Sequence, residues 1–480
     1  MEFVSDFVLR ISNLIFSDFR PRTSDFNQLP PYFSLPFGYS DFELNFSGLP
    51  DFRPPVSDFL LISTVNLYKY LENSLNFEPS TPIGLTMIEK INVNGFKSLR
   101  DFELNLGRVN VLIGANGSGK SNILEAIGVL SAASIGRIDD ESLMRRGVRP
   151  GLPSLYKSSF KADRTPPHIA LSAQSADASF SVSLLNPLKD PKPAWEFKTE
   201  HLKQGREVIV SRSVRQKHNY DPALGLSALK AVDLDVSSPA GKLLKTLQNY
   251  AIYSPYTPIL RGVEPDNQTR EPVGLSGGRL ASALGELKAL ADDQRIQMAL
   301  EDLLGCLDWV EQFDTTSASV NDLLSASVPR SKHILRFTDR YMVKDRNTLT
   351  AFDASEGALY ILFAAVLALS PSAPAFLAID NLDQALNPRL VKYFSKLFSQ
   401  WVLEANRQQI IFTAHNPAVI DGLDLEDERI RLFAIDRDNT GHSRASRVSL
   451  TPRLAEMARE KDWPLSRLWM TGHIGGVPNV

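Results

Sequence analysis

The spacing of apolar residues changes period twice between positions 102 and 130. Phe102, Leu104 and Leu106 alternate with polar residues, as on one face of a strand. VNVLIG at 109–114 then runs almost unbroken, as in a strand buried on both faces, and Ile123, Ile127 and Leu130 recur at helical spacing. Strand, turn and helix are thus predicted in that order. The turn reads GANGSGKS at 114–121, a complete Gly-x-x-x-x-Gly-Lys-Ser phosphate loop. Gly114, Gly117 and Gly119 let backbone N–H groups face a β-phosphate, Lys120 reaches the β/γ-oxygens and the Ser121 hydroxyl ligates Mg²⁺. The helix adds its positive dipole end, so ATP or GTP with Mg²⁺ is the expected ligand. Asn116, Ser118 and Asn122 complete the candidate nucleotide-binding run.

The rest of the pattern divides the chain. Residues 87–140 read as the first half of an α/β nucleotide-binding domain. From 141 to 345 an insertion is expected: short alternating runs such as FSVSLL and EVIVSRS within 168–213 predict an antiparallel sheet, and 276–330 is helical in pattern. Residues 346–440 alternate helix and strand, which predicts a parallel sheet for the second half. The longest uncharged stretch, 357–379, is long enough to span a membrane, but Pro371 and Pro374 break it. It reads instead as a buried helix over 355–369, a turn, and a buried strand over 375–379.

Residues 1–86 differ from everything after them. They lack alanine, hold 12 of the 26 phenylalanines, and repeat SDF at 5–7, 17–19, 24–26, 40–42 and 57–59. The irregular intervals are unlike a solenoid. The segment reads either as a Phe-rich disordered tail or, preferentially, as translated repetitive DNA upstream of a start at Met87, where MIEKINVNGFKSL opens the domain.

Two further strand ends carry candidate chemistry. FLAIDN (376–381) ends in Asp380, placed to hold Mg²⁺ through water, and LDQALNPRL follows with Asn387 as a helix cap before Pro388. IIFTAHNP (410–417) ends near His415, a candidate sensor of the γ-phosphate. A serine-glycine contact to a second subunit's nucleotide has two candidate sources. ASEG at 354–357 opens the helix leading into the Asp380 strand, so Ser355 and Gly357 are preferred over LSGG at 275–278.

Net charge of −3 and a pI of about 6.2 give no global basic field, so DNA contact would need a local patch. The candidates are SRSVRQKH (211–218) and LMRRGVR (143–149). A single cysteine, Cys306, excludes an internal disulfide and a cysteine zinc site and suits a reducing cytoplasm; the 7 histidines show no ligand-like pair. No signal-peptide pattern opens the chain, so a cytoplasmic protein without membrane contact is expected.

In order, GANGSGKSN, the ASEG helix, IDN, ALNPRL, TAHNP and the terminal WMTGHIGGVPN resemble the ABC-type ATPases of the OLD/RecF/SMC group. Within it the likeness is to the short AAA-type ATPases labelled abortive-infection or AbiEii-like, and it covers about 87–480. The resemblance implies a P-loop fold and a homodimer closed head to tail around two ATPs, with Ser355 and Gly357 of one copy facing Lys120 of the other. It further implies slow ATP hydrolysis switching a partner effector, a nuclease or toxin in phage defence. The alternative is a non-hydrolysing ATP-binding scaffold. Asn381 stands where such proteins carry the glutamate that takes a proton from water; an amide has no such capacity, and Asp383 is the nearest substitute. Only 65 residues follow His415, which points to relatives without the nuclease domain of OLD proteins. The resemblance also implies a glutamine contacting Mg²⁺ in 141–200, for which Gln174 is the candidate.

Overall fold

The computed structural model describes residues 86–161, 164–213, 221–231, 233–317 and 333–474. All of them belong to the larger of two units, Pro82–Val480. The SDF-bearing segment, most of the 211–218 basic cluster and the last six residues of the tail lie outside the described residues.

Three sheets organise the domain. The first is antiparallel, with strands in the order β2 (Phe102–Asn105), β1 (Lys90–Asn94), β4 (Ile169–Gln174), β5 (Ala178–Leu185), β6 (Glu196–Gln204) and β7 (Glu207–Arg212). The second holds the centre, in the order β15 (Ser443–Val448), β14 (Ile430–Arg437), β3 (Val109–Ile113), β13 (Gln409–Thr413), β12 (Phe376–Ile379) and β8 (Ile252–Tyr253); all its pairings are parallel except β14 with β15. The third is a small antiparallel sheet of β11 (Thr348–Thr350), β10 (His333–Asp339) and β9 (Val310–Ser317).

The central sheet separates two cores. Leu112, Phe376, Ala378 and Ile411 face helix α1 (Lys120–Ile135) and the apolar face of the antiparallel sheet. Their strand neighbours Val111, Ile113, Leu377, Ile379 and Phe412 face the other way. That second core is built on helices α5 (Glu356–Leu369) and α6 (Pro388–Ala405), and this two-sided burial is why the strands read as continuous apolar runs. Helix α1 is sandwiched between two sheets, and only Ser121, Asn122 and Ile135 escape burial. Helix α5 is buried without a break from Ala358 to Leu369, so its apolar run serves the core. Among the described residues no helix is long and apolar enough to cross a membrane.

The 141–345 segment differs from a discrete insertion. Strand β4 pairs directly with β1, extending the sheet that the first half begins, and β8 pairs with β12 at the edge of the central sheet. Helices α2 (Pro239–Gln248), α3 (Leu280–Lys288) and α4 (Gln294–Cys306) pack in both cores. The helical pattern expected over 276–330 stops at Cys306. Val310–Ser317 is instead a strand in register with β10, where Val310 and Phe313 are buried and two threonines favour extended backbone.

Candidate functional site

The site forms at the carboxyl ends of β3, β12 and β13, which are adjacent and parallel. Between β3 and α1 the loop takes the left-handed region at Gly114 (φ 151), Gly117 (φ 78) and Gly119 (φ 111). A Cβ on Gly117 would meet nothing within 4 Å, so this glycine stands at the open mouth of the loop and is required by its φ alone. At Gly119 space is also decisive: a Cβ there would lie 2.1 Å from the Ser443 hydroxyl oxygen.

Lys120 is buried, and its Nζ donates to the Gly114 carbonyl at 2.7 Å and the Ala115 carbonyl at 3.1 Å. Burial lowers its pKa, partly offset by the carboxylates of Asp380 and Asp383. The Ser121 hydroxyl lies 3.1 Å from Asp380 Oδ2. The other oxygen of Asp380 accepts from the Thr413 hydroxyl at 2.6 Å, and Thr413 Oγ1 in turn accepts the Asn381 N–H at 2.8 Å. Thr413, not singled out by the sequence reading, therefore fixes both the metal-facing carboxylate and the backbone beside it.

Asn381 itself sits in the left-handed region at φ 60, a conformation asparagine tolerates better than most residues. Asp383 is buried. Its Oδ2 accepts the His415 N–H at 2.8 Å and the Asn416 N–H, while Oδ1 is buried without a hydrogen-bond partner. Partial burial and then the Lys120 charge lower the pKa of His415, against the pull of Asp383 and Asp380, so its ring is neutral at physiological pH.

Ser355 caps α5, its hydroxyl accepting the Ala358 N–H at 3.4 Å, and a Cβ on Gly357 would lie 2.9 Å from the Ala385 carbonyl. Gly357 therefore sits beside the loop that follows Asp380, two residues on from the Ser355 cap. In the competing LSGG loop the Ser276 and Gly278 N–H groups both donate to Asp266 Oδ2 at 3.2 Å, so an internal carboxylate already takes the donors an anion would need. The Asn122 amide is turned away from the loop interior, donating to the Ser98 hydroxyl at 2.8 Å. Gln174 is exposed at the end of β4, paired with Lys90 and Ser179.

Each arginine of the 143–149 cluster has a partner within the chain, and Arg145 and Arg149 remain exposed. Arg145 pairs with Glu141, Arg146 is buried against Ser131 with its pKa lowered to about 10 chiefly by burial, and Arg149 donates to Glu125 at 2.6 Å. Glu125 is buried on α1 and also takes Lys97, a pairing between residues too far apart in sequence for any motif to flag.

The donor set fits a nucleoside triphosphate with Mg²⁺. The Ser118 hydroxyl is buried in the loop without a partner, the mouth is open at Gly117, and Ser121 with Asp380 offers the hydroxyl and carboxylate that an octahedral, largely hydrated Mg²⁺ takes. Among the described residues no cluster of histidine, cysteine and carboxylate suggests another metal.

Phosphate loop, acidic strand end and histidine-bearing strand end on one parallel sheet define a P-loop nucleotide-binding fold. The family relationship agrees: residues 87–175 match the AAA ATPase domain family, and residues 309–421 match the family described as AAA domain, putative AbiEii toxin, Type IV TA system. Two separate stretches of the chain, one holding the phosphate loop and the other the Asp380 and His415 strand ends, are thus similar to AAA-type ATPase domains.

Over 67 residues the chain is 40% identical to the DNA replication and repair protein RecF of Paenarthrobacter aurescens, a match covering 14% of this chain and 17% of that protein. Over 81 residues it is 37% identical to the uncharacterized protein MJECL10 of Methanocaldococcus jannaschii, covering 16% and 36%. Over 75 residues it is 35% identical to the DNA double-strand break repair Rad50 ATPase of Saccharolobus solfataricus, covering 15% and 9%. The chain thus spans between 9% and 36% of the length of these relatives. Among solved structures it is similar to an SMC head bound to the C-winged helix domain of ScpA, at 14% identity and a TM-score of 0.46 over 77% of this chain and 99% of that one. The SMC head domain from Thermotoga maritima gives 15% identity and a TM-score of 0.34 over 76% and 99%.

Proposed function

We propose that this protein binds ATP with Mg²⁺ through residues 114–122 and Asp380, closes as a head-to-tail homodimer around two nucleotides, and hydrolyses them slowly so that the dimer acts as a timed switch for a partner. The observation that carries the reading is the chain Ser121–Asp380–Thr413–Asn381 beside the phosphate loop. It supplies a hydroxyl and a carboxylate for the metal next to the phosphate loop and sets an amide, rather than a base, beside them.

In hydrolysis, water forms a bond to the γ-phosphorus as the bond to the β–γ bridging oxygen breaks, and the water's proton must go to an acceptor. Lys120 and the loop N–H groups stabilise charge on the phosphoryl oxygens. Mg²⁺ when bound neutralises β/γ charge. Asn381 orients the water but takes no proton, and among the described residues Asp383 Oδ1 is a buried carboxylate oxygen without a hydrogen-bond partner. In this reading a ring N–H of His415, at the end of β13, donates to a γ-oxygen. Ser355 and Gly357, at the N-terminal end of α5, supply the N–H groups that meet the second copy's nucleotide. The matching family's description as a putative AbiEii toxin of a Type IV TA system supports a toxin-related role, the names of the RecF and Rad50 relatives support a DNA-related setting, and a nuclease or toxin effector in phage defence is the partner we propose.

Phosphate release from radiolabelled ATP tests the reading. Slow release that Lys120→Ala abolishes, together with Lys120-dependent binding of ATP, is expected. Tight ATP binding with no release at all would favour the non-hydrolysing scaffold, and no ATP binding would refute both.

A further inference from the structure

The phosphate loop rests on a second set of residues that no phosphate touches. Ser443 opens β15 and is fully buried, and its hydroxyl donates to the Ser118 carbonyl in the loop. Its one hydroxyl hydrogen is thereby used, so the 2.6 Å contact between Ser98 Oγ and Ser443 Oγ has Ser98 as donor. Ser98 Oγ in turn accepts the Asn122 amide at 2.8 Å, and the Ser443 N–H donates to the Ser98 carbonyl at 2.8 Å. The result is one directional chain, Asn122 to Ser98 to Ser443 to Ser118, in which each hydroxyl donates once and accepts once. It ties the first turn of α1, the β1–β2 connection and the β14–β15 hairpin to the loop backbone. Each link strengthens the next in this water-free setting.

The close approach explains more than packing. Gly119 lacks a Cβ where Ser443 Oγ and Ser98 Oγ would lie 2.1 and 2.7 Å from it, so the hydroxyl pair occupies the space that any other residue would fill. The Gly119 N–H belongs to the same peptide whose carbonyl, that of Ser118, the Ser443 hydroxyl holds.

We propose that Ser443 and Ser98 are positioning residues for nucleotide binding: a two-hydroxyl brace that holds the phosphate loop in its binding shape and makes nucleotide affinity depend on the β14–β15 hairpin. The inference rests on nucleotide binding at this loop. A rigid loop binds without first being ordered, so losing the brace weakens binding while leaving the chemistry of bound ATP alone.

The test is a double-mutant cycle read by mant-ADP titration of the full chain, with Ser443→Ala, Ser98→Ala, the double variant, and Ser446→Ala as a control on the same strand. Each single brace variant is expected to raise the Kd about tenfold, and the double variant to sit within about twofold of the weaker single, because either change breaks the same chain. At saturating ATP kcat stays within twofold of wild type, and Ser446→Ala binds normally. Single variants with unchanged Kd, or a double variant losing the product of the two single effects, overturn the brace. Hydrogen exchange of the nucleotide-free protein separates this from the nucleotide reading. Ser443→Ala is expected to speed exchange across residues 115–122; unchanged exchange overturns the brace, whereas faster exchange in Ser443→Ala alongside a wild type that gives no saturable mant-ADP signal supports the brace and overturns only the nucleotide reading.

Discussion

Replacing Asn381 by glutamate places a proton acceptor beside Asp380 at a position where the structure allows its cost to be judged. The residue holds φ 60, and left-handed backbone costs an ordinary L-residue about 1–2 kcal/mol, of which asparagine escapes a part. Asn381→Glu should therefore destabilise the fold by about 1 kcal/mol. The Asn381 N–H to Thr413 is a backbone bond and survives. A third carboxylate near Asp380 and Asp383 also raises the new group's pKa, toward the range that suits a base at neutral pH. General-base catalysis contributes typically 10²–10⁴-fold, and water positioned by an amide retains part of that, so a gain in kcat of at least about tenfold, or ~1.4 kcal/mol of barrier, is expected. ATP affinity should change by less than about threefold, since the side chain acts mainly in the transition state. Single-turnover and steady-state phosphate release, with thermal unfolding alongside, measure all three quantities. A wild type already turning over at about 10 s⁻¹, indifferent to Asn381→Ala and silenced by Asp383→Asn, would place the base at Asp383 Oδ1 and refute the slow-switch argument.

Two further outcomes follow from the geometry. Gly119→Ala should abolish mant-ADP binding with little change in the antiparallel sheet, because its methyl would collide with the Ser443 hydroxyl at 2.1 Å and the backbone there holds φ 111; an affinity within threefold of wild type would show that the loop adapts. The lowered pKa of His415 gives a pH signature. A γ-phosphate beside the ring raises that pKa in the bound state, so ATP binding takes up a proton, and the preference for ATP over ADP should grow as pH falls from 8 towards 6 and flatten in His415→Gln. A wild-type ratio that is flat across that range would remove His415 from the γ-phosphate.

What could be read in the sequence was what depends on neighbours along the chain. The phosphate loop is contiguous, so its glycines, Lys120 and Ser121 declared themselves, as did the uncharged run that became α5 and β12 and the Asn387 cap of α6, which accepts the Leu390 N–H at 3.0 Å. Contacts between distant segments left no such trace. Ser443 and Ser98 meet under Gly119 because β14 pairs beside β3, and nothing local to either serine marks it. Asn122 looked like a nucleotide contact from its place in the motif, yet its amide is drawn to Ser98. The basic run at 143–149 gave no sign that Arg146 is buried against Ser131, or that Arg145 and Arg149, both exposed, pair with Glu141 and Glu125. Strand β9 was hidden because its buried positions Val310 and Phe313 follow directly on α4 and continue the apolar spacing of that helix.

The central claim, that nucleotide bound at 114–122 closes two copies through the N-terminal end of α5, is tested most directly by light scattering of the full chain with Mg²⁺ and ATP. Wild type should shift from monomer to dimer on adding ATP and Ser276→Arg should do the same. Lys120→Ala should stay monomeric through lost binding, and Ser355→Arg should stay monomeric while still binding ATP. Dimers from Ser355→Arg and none from Ser276→Arg would contradict the account, moving the intersubunit contact to the LSGG loop.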